Sequence, residues 1–456
     1  MKLIKSKKAS ENYLSKIVNI TNFRQHSDPQ VNKLKCCTVD GFNIITGIDS
    51  EPGLYVYFPA LSKINGDFLS YANLYRHKEL NKDPEQSGMF EDNGRVKAIK
   101  LRGEISEGFI LPIAVLENYI VSVTNKEVNG IKEGIEFDSV EHEGKEFWIS
   151  KKYVAQNYIT PGKAGSRQSK KVPKGLNKII DTQFRFHYDT TLIKKCPHII
   201  TPETLIQMSY KIHGTSGISA YVLCKQNLSW KQKIAKWLTG EEFNKYDYIY
   251  ASRTVIKNKY YNENVGGGYC GVDVWAEADK VVKPCLSKGQ TAYYEIVGYL
   301  PTGKGIQSSF DYGCVPPKEG EPYTHEKHFK VRIYRVTYTN PDGKVHEYTP
   351  HQVQQWCAQV GLTPVEECYY GKAGDLYPDL DRANHWSENF VERLSNDGRF
   401  FMEKNSPHCK NKVPHEGLVI KIENGLSQAF KLKCFRFLNK EQELLDKGES
   451  NIEDEA

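Results

Sequence analysis

The 456 residues contain no C-x-x-C pair. Eleven cysteines are scattered without a regular framework, and Cys36 and Cys37 are adjacent. Such a distribution predicts free thiols in a reducing compartment rather than a disulfide scaffold. Cys409, with His408 and His415 near it, lacks the paired ligand spacing of a zinc site. No secretory apolar region follows the basic start Met1–Lys8, and no apolar run approaches the length of a transmembrane helix. A cytoplasmic chain without membrane contact is the expectation. Charge of one sign is missing in two places. The segment 151–180 has eight Lys or Arg and no acid, whereas 441–456 has seven acids and one lysine. The net charge of +6 is too mild to prove nucleic-acid binding by itself.

The length suits two to three domains. From Met1 to about Tyr158, short aromatic and β-branched runs (Phe42–Ile45, Leu54–Phe58, Gly108–Leu111, Phe147–Ile149) alternate with turn signals at Asp40-Gly41, Pro52-Gly53, Asn93-Gly94 and Asn129-Gly130. This pattern predicts a small β-barrel or sandwich. Gly94–Gly103 reads as a basic strand carrying Arg95, Lys97, Lys100 and Arg102: either a solvated face or a surface tracking phosphates. The Pro- and Gly-containing cationic stretch after it reads as a linker.

From Asp181 onward the pattern is mixed α and β. Strands are expected at Leu205–Met208, Ile218–Leu223, Ala251–Ile256, Tyr293–Tyr299, Val331–Val336, Glu416–Ile422 and Phe430–Phe435. Thr349–Arg399 reads as helical, opened by Thr349-Pro350 as N-cap and first residue, with Trp386, Phe390, Val391 and Leu394 on one buried face. The acidic tail after Lys440 has little to bury and is expected to fray or to stay disordered.

Tyr210-Lys211-Ile212-His213-Gly214-Thr215-Ser216-Gly217 lies between two of the predicted strands. It reads as an ordinary hairpin turn with a surface lysine, or as a lysine nucleophile held at a strand end. Glu295, Glu416, Lys431 and Lys433 are each ambiguous alone. Together they supply what attack on the α-phosphate of ATP needs: a deprotonated lysine, cations for phosphates and carboxylates for a divalent metal. Lys431 and Lys433, two apart on a strand, share a face, and near Lys211 their charges would favour its neutral form.

At these residues the chain resembles the covalent nucleotidyltransferases, and among them the ATP-dependent RNA ligases, over about Asp181 to Phe437. Lys211-Ile212-His213-Gly214 resembles the nucleophile motif, with the His-Gly-Thr common in RNA ligases. Glu295 resembles the third-motif carboxylate, and Gly298 with Gly303–Gln307 resembles phage-type nick-sealing enzymes. Glu416-Gly417 and Lys431-Leu432-Lys433 match the fourth and fifth motifs. The resemblance implies an α+β chain: an N-terminal OB-type β-barrel (1–158), a basic linker (159–180), a nucleotidyltransferase domain of antiparallel sheets with flanking helices (181–440) and a tail (441–456). It implies Lys211 as nucleophile, Arg253 on the ribose and Tyr334 stacked on adenine; because stacking tolerates any base, backbone groups around Tyr210 and Ile212 are expected to read the adenine. Arg185, Lys431 and Lys433 would contact phosphates, and Glu295 and Glu416 would hold Mg2+ or Mn2+. His213 is implied either in the later steps or in holding the turn. ATP and RNA or an RNA-containing nicked duplex are the implied substrates of a monomeric enzyme of RNA repair. Nineteen residues follow Phe437, so the C-terminal OB domain of DNA ligases and capping guanylyltransferases is not expected. The alternative is a non-catalytic RNA-binding OB protein with a degenerate transferase domain.

Overall fold

The computed structural model describes residues 1–128, 130–154, 179–226, 228–240, 242–257, 273–307, 309–424 and 428–447. Asn129, most of the expected linker and the end of the acidic tail lie outside the described residues.

The N-terminal part is built of antiparallel strands. Gly108–Pro112, Gly53–Pro59, Ser15–Ile20 and Glu136–Phe137 form one sheet, and Arg24–Gln25, Leu34–Val39 and Phe42–Gly47 form another. Their alternation sends Ile17, Val56 and Phe58 into one core and Val18, Tyr55 and Tyr57 into a second. The basic stretch is not one strand. Only Ile99–Leu101 forms a strand, paired with Glu104–Ser106, while Arg95 makes an isolated bridge to Lys63. Val96 and Ala98 turn inward, and a C-terminal helix covers the other side, so Arg95 is buried rather than offered to phosphates.

The rest holds two five-stranded sheets. In chain order the labelled elements are β1 (Leu205–Tyr210), β2 (Thr215–Lys225), α1 (Trp230–Thr239), β3 (Asn244–Ser252), α2 (Val274–Val282), β4 (Gln290–Gly298), β5 (Phe329–Thr339), β6 (Val345–Glu347), α3 (Pro350–Val360), β7 (Glu367–Lys372), α4 (Trp386–Ser395), β8 (Gly417–Ile422), β9 (Ala429–Lys433) and α5 (Phe435–Asp446). One sheet has the order β9-β8-β1-β7, extended beyond β9 by a short parallel pairing with Thr191–Leu192. The other, β3-β2-β4-β5-β6, is antiparallel throughout.

Three local readings differ from the structure. β3 ends at Ser252, where a tight turn begins, so Arg253 stands just past the strand. The stretch expected to be helical contains β7, whose Cys368-Tyr369-Tyr370 suit a strand edge. The tail does not fray at Lys440: α5 runs to Asp446 because its acids meet cations, Glu441 with Lys433 and Asp446 with Arg95 and Lys97.

Each sheet has its own core. Leu418 and Ile420 of β8 and Phe430 and Leu432 of β9 point toward Phe390 and Leu394 of α4. Thr349 and Gln352 form a capping box on α3, and Trp356 buries against Ile296 and Val331. Each such side chain contributes about 1.5–3 kcal/mol of burial. Among the described residues no helix is long and apolar enough to cross a membrane.

Candidate active site

The loop Lys211–Gly214 carries the chain from β1 in one sheet to β2 in the other. The Lys211 N–H donates to the Gly417 carbonyl (2.9 Å), and the His213 N–H donates to the Tyr312 hydroxyl (2.8 Å). Gly214 is required by closeness: a Cβ there would lie 2.3 Å from the Ile296 carbonyl oxygen. Gly417 has φ +134°, and its Cβ would lie 2.0 Å from the Leu432 carbonyl oxygen. These two glycines let β8, the loop and β4 converge.

Where they converge a cleft opens, lined by Lys211, His213, Glu295, Tyr334, Glu416 and Lys431 among others. Strand alternation explains its charge. On β8 and β9, Leu418, Ile420, Phe430 and Leu432 face the core, so Val419, Lys421, Lys431 and Lys433 face the cleft. On the other sheet Ser216 stands opposite Glu295 in register. Tyr293 pairs with Arg335 and Tyr294 with Ile333, which leaves Tyr334 as the extra residue of a β-bulge. A bulge re-aims a side chain. The Tyr334 hydroxyl meets Ser216 Oγ at 2.8 Å, and its carbonyl accepts from Lys421 Nζ.

Lys211 Nζ lies 2.8 Å from Glu416 Oε1. Glu416 is buried, and its Oε2 has no hydrogen-bond partner; His213 Nδ1, also buried and unpartnered, is 3.7 Å away. The His213 ring packs edge-on against Phe310 and Phe437, so aromatic contacts and its backbone, not an imidazole hydrogen bond, seat the turn. Glu295 accepts from the Gly214 N–H at 3.0 Å. Gln307 donates to the Gly214 carbonyl at 2.9 Å.

Burial pushes the Lys431 ammonium down to about 8 against the pull of Asp189, with Lys433 and Lys211 adding repulsion. Burial likewise pushes Lys421 down to about 8, opposed by Glu347. Burial opposes the charge of Lys433 too, but there Glu441 at 2.8 Å prevails and holds it well above the ordinary range. Asp189 gathers three donors: Arg253 (3.0 Å), Lys431 (3.3 Å) and Asn12 (3.0 Å). Burial acts against its ionisation, yet Lys431 and Arg253 hold it below the usual carboxylate range.

Of the residues singled out from sequence, Lys211, Ile212, His213, Arg253, Glu295, Tyr334, Glu416, Lys431 and Lys433 line this cleft. Arg185 does not. Its segment is not a regular strand; Arg185 is exposed and its guanidinium reaches the Gly343 carbonyl, while His187, Tyr188 and Asp189 line the cleft. His408 and His415 stack edge-on against Tyr210, and among the described residues no group of three His, Cys, Asp or Glu could hold a metal ion. Sequence reasoning missed Lys421, Asp189 and Glu441. The alternation of Val419 and Lys421 with Leu418 and Ile420 was a usable signal for Lys421. It also missed the wall supplied by Tyr13, Lys152 and Tyr153 of the N-terminal part.

No family model matches the sequence, and no curated protein matches it. Solved structures do. A variant of Naegleria gruberi RNA ligase with ATP and Mn is 14% identical at a TM-score of 0.53, covering 94% of this chain and 99% of that one. The same ligase with PPi is 15% identical at 0.53, with 94% and 99% covered. Another variant, with AMP and Mn, is 14% identical at 0.51 over the same shares. The fold of this chain, mostly antiparallel sheets with helices, is similar to that of an RNA ligase.

Proposed function

We propose that the protein is an ATP-dependent RNA ligase that seals nicks in RNA or RNA-containing duplexes. The observation that carries this reading is the cleft itself: Lys211 lies 2.8 Å from Glu416, with Glu295 lining the same cleft and the cationic stripe Lys421, Lys431 and Lys433 on adjacent strands. The likeness in fold to an RNA ligase studied with ATP, AMP, PPi and Mn supports it.

In the proposed first step Lys211 Nζ, having lost a proton, attacks the α-phosphorus of ATP. A P–N bond forms, the bond to the β-phosphate oxygen breaks, and pyrophosphate leaves. An oxygen of the RNA 5′-phosphate then takes the adenylyl group, and the electron pair returns to Lys211. Finally the 3′-hydroxyl oxygen attacks that 5′-phosphate, and AMP departs. Tyr334 offers a face to adenine, Arg253 faces the ribose, and Lys431 and Lys433 face phosphates. The donor set fits a divalent cation: in the cleft wall Asp189, Glu347 and Glu441 are each paired with a cationic side chain, whereas buried Glu416 Oε2 lacks a partner and Glu295 lines the same cleft. Glu295 and Glu416 would hold Mg2+ or Mn2+, which when bound offsets phosphate charge.

The N-terminal part is proposed as an OB-type clamp for the nick, with Lys100 and Arg102 exposed on it. RNA repair in the cytoplasm by a monomer completes the reading. A degenerate transferase would be expected to have lost part of the Lys211, Glu295, Glu416, Lys431 and Lys433 set, and all five residues are present. The test is incubation with labelled ATP or labelled GTP, followed by a denaturing gel. A covalent adduct with ATP alone is expected, and no adduct with either nucleotide would reject the reading.

A further inference from the structure

Helix α1 lies far from the cleft, at the tip of the β2–β3 hairpin, where Lys225 pairs with Asn244. Lys225 lies nine residue steps along the strand from Ser216 at the cleft, a span of roughly 30 Å. The helix is specified strongly for its size. Ser229 and Gln232 form a capping box, and Gly240 closes the other end in the left-handed conformation. Yet it buries no residue.

Its orientation is inverted relative to a helix that packs on a core. At 100° per residue, Trp230, Ile234, Trp237 and Leu238 fall within one stripe about 100° wide. That stripe points outward: the four are 68%, 48%, 83% and 68% exposed. The side turned toward the protein carries Gln232, Ala235 and Lys236. Lys231 and Lys233 flank the stripe on either side, and among the described residues neither is in an ion pair. Lys236 is neutralised by Glu242. Lys225 and Lys245, at the strand ends beside the helix, are exposed as well.

We infer that α1 docks on an anionic phospholipid surface, with its apolar stripe at the headgroup–acyl boundary and Lys231 and Lys233 against lipid phosphates. Lysines bordering a Trp- and Leu-bearing face are the arrangement of helices that lie in a membrane interface. Charge alone would suit RNA equally, but Ile234 and Leu238 have no ring to stack on a base, and half the stripe would gain nothing from a nucleotide. The expectation of no membrane contact rested on the lack of a spanning segment, and an interfacial helix needs none. This inference is independent of the ligase reading.

The test uses the full chain and vesicles of phosphatidylcholine with or without phosphatidylserine. Flotation with the phosphatidylserine vesicles is expected, together with tryptophan quenching by brominated acyl chains. The double variant Trp237→Glu, Leu238→Glu should lose at least tenfold in partition while keeping the parent's melting temperature. Lys231→Glu with Lys233→Glu should abolish the preference for phosphatidylserine. Absence of flotation overturns the inference. So does flotation without quenching, or equal binding by the Trp237→Glu, Leu238→Glu variant. Reversible dimerisation through the stripe, or tryptophan quenching by single-stranded RNA, in a chain that ignores vesicles would also overturn it by assigning the face to another occupant.

Discussion

The side-chain amide of Gln442 engages both backbone groups of Ala98: Oε1 accepts from the Ala98 N–H at 2.7 Å, and Nε2 donates to the Ala98 carbonyl at 2.9 Å. A neighbouring strand would make the same pair of bonds. α5 thereby supplies backbone partners at Ala98, between the Arg95 bridge and the Ile99–Leu101 strand, and Asp446 on the next turn meets the buried Arg95 guanidinium. The N-terminal part is held to the end of the chain by this helix, which also lines the cleft through Glu441.

Removing these contacts should loosen that attachment. Gln442→Ala leaves two buried backbone groups without partners and should cost about 1–3 kcal/mol; Asp446→Ala, which strands Arg95, should cost a similar amount. The check is thermal unfolding with limited proteolysis. A double variant that melts and resists protease like the parent would show that the helix does not hold the two parts together.

Lys211→Ala should form no protein–AMP adduct, yet should still close a nick that is already adenylated. Glu416→Gln keeps the shape of the residue at 2.8 Å from Lys211 but removes its charge. Its adduct formation should fall by about a hundredfold or more, as when a positioned electrostatic partner is lost. Rapid-quench measurement of adduct formation decides both; parental rates in Glu416→Gln would reduce the carboxylate to a structural part.

Tyr334→Phe loses only the hydrogen bond to Ser216, so ATP use should change little. Tyr334→Ala removes the ring, and a lost base-stacking contact is worth about 1–3 kcal/mol, or roughly 5- to 150-fold in the ATP requirement. Titration of adduct against ATP separates the two variants; identical curves would exclude stacking.

Lys431 titrates at about 8 in the folded chain, below its ordinary 10.5. Between those values the unfolded chain binds the extra proton, so this residue's destabilising contribution is present below about 8 and fades as pH rises toward 10.5. Its ATP contact should run the other way: the charge disappears through about 8, and the KM for ATP should rise there. Lys431→Arg keeps its charge and should flatten that rise, apart from the share owed to Lys421, which loses its proton in the same range. A KM that is level across the range in the parent would contradict a phosphate role for Lys431.

Where a residue's placement depended on its own strand, the sequence was readable. Lys431 and Lys433 share a face because side chains alternate, and Lys211 follows a strand that ends at Tyr210. Placement that depended on distant partners was not readable. Arg95 looks like a surface cation until α5 arrives from 351 residues further on. Arg185 sits in a segment without regular alternation, so nothing local indicated that Asp189, four residues later, would line the cleft instead. The bulge that turns Tyr334 arises from a mismatch between two strands and is invisible in either one alone.

Gly417 and Glu416 are adjacent in the chain, and Gly214 lies three residues after Lys211, yet the members of each pair are under different constraints. A side chain at either glycine collides with backbone oxygen, whereas shortening Lys211, which lines the cleft, brings no such collision. A mutational scan scored only for soluble expression would therefore deplete variants at the two glycines and spare those at the lysine. A scan scored for catalysis would deplete all three positions. Tolerance in the first scan and intolerance in the second would separate chemical from architectural constraint at positions only a few residues apart.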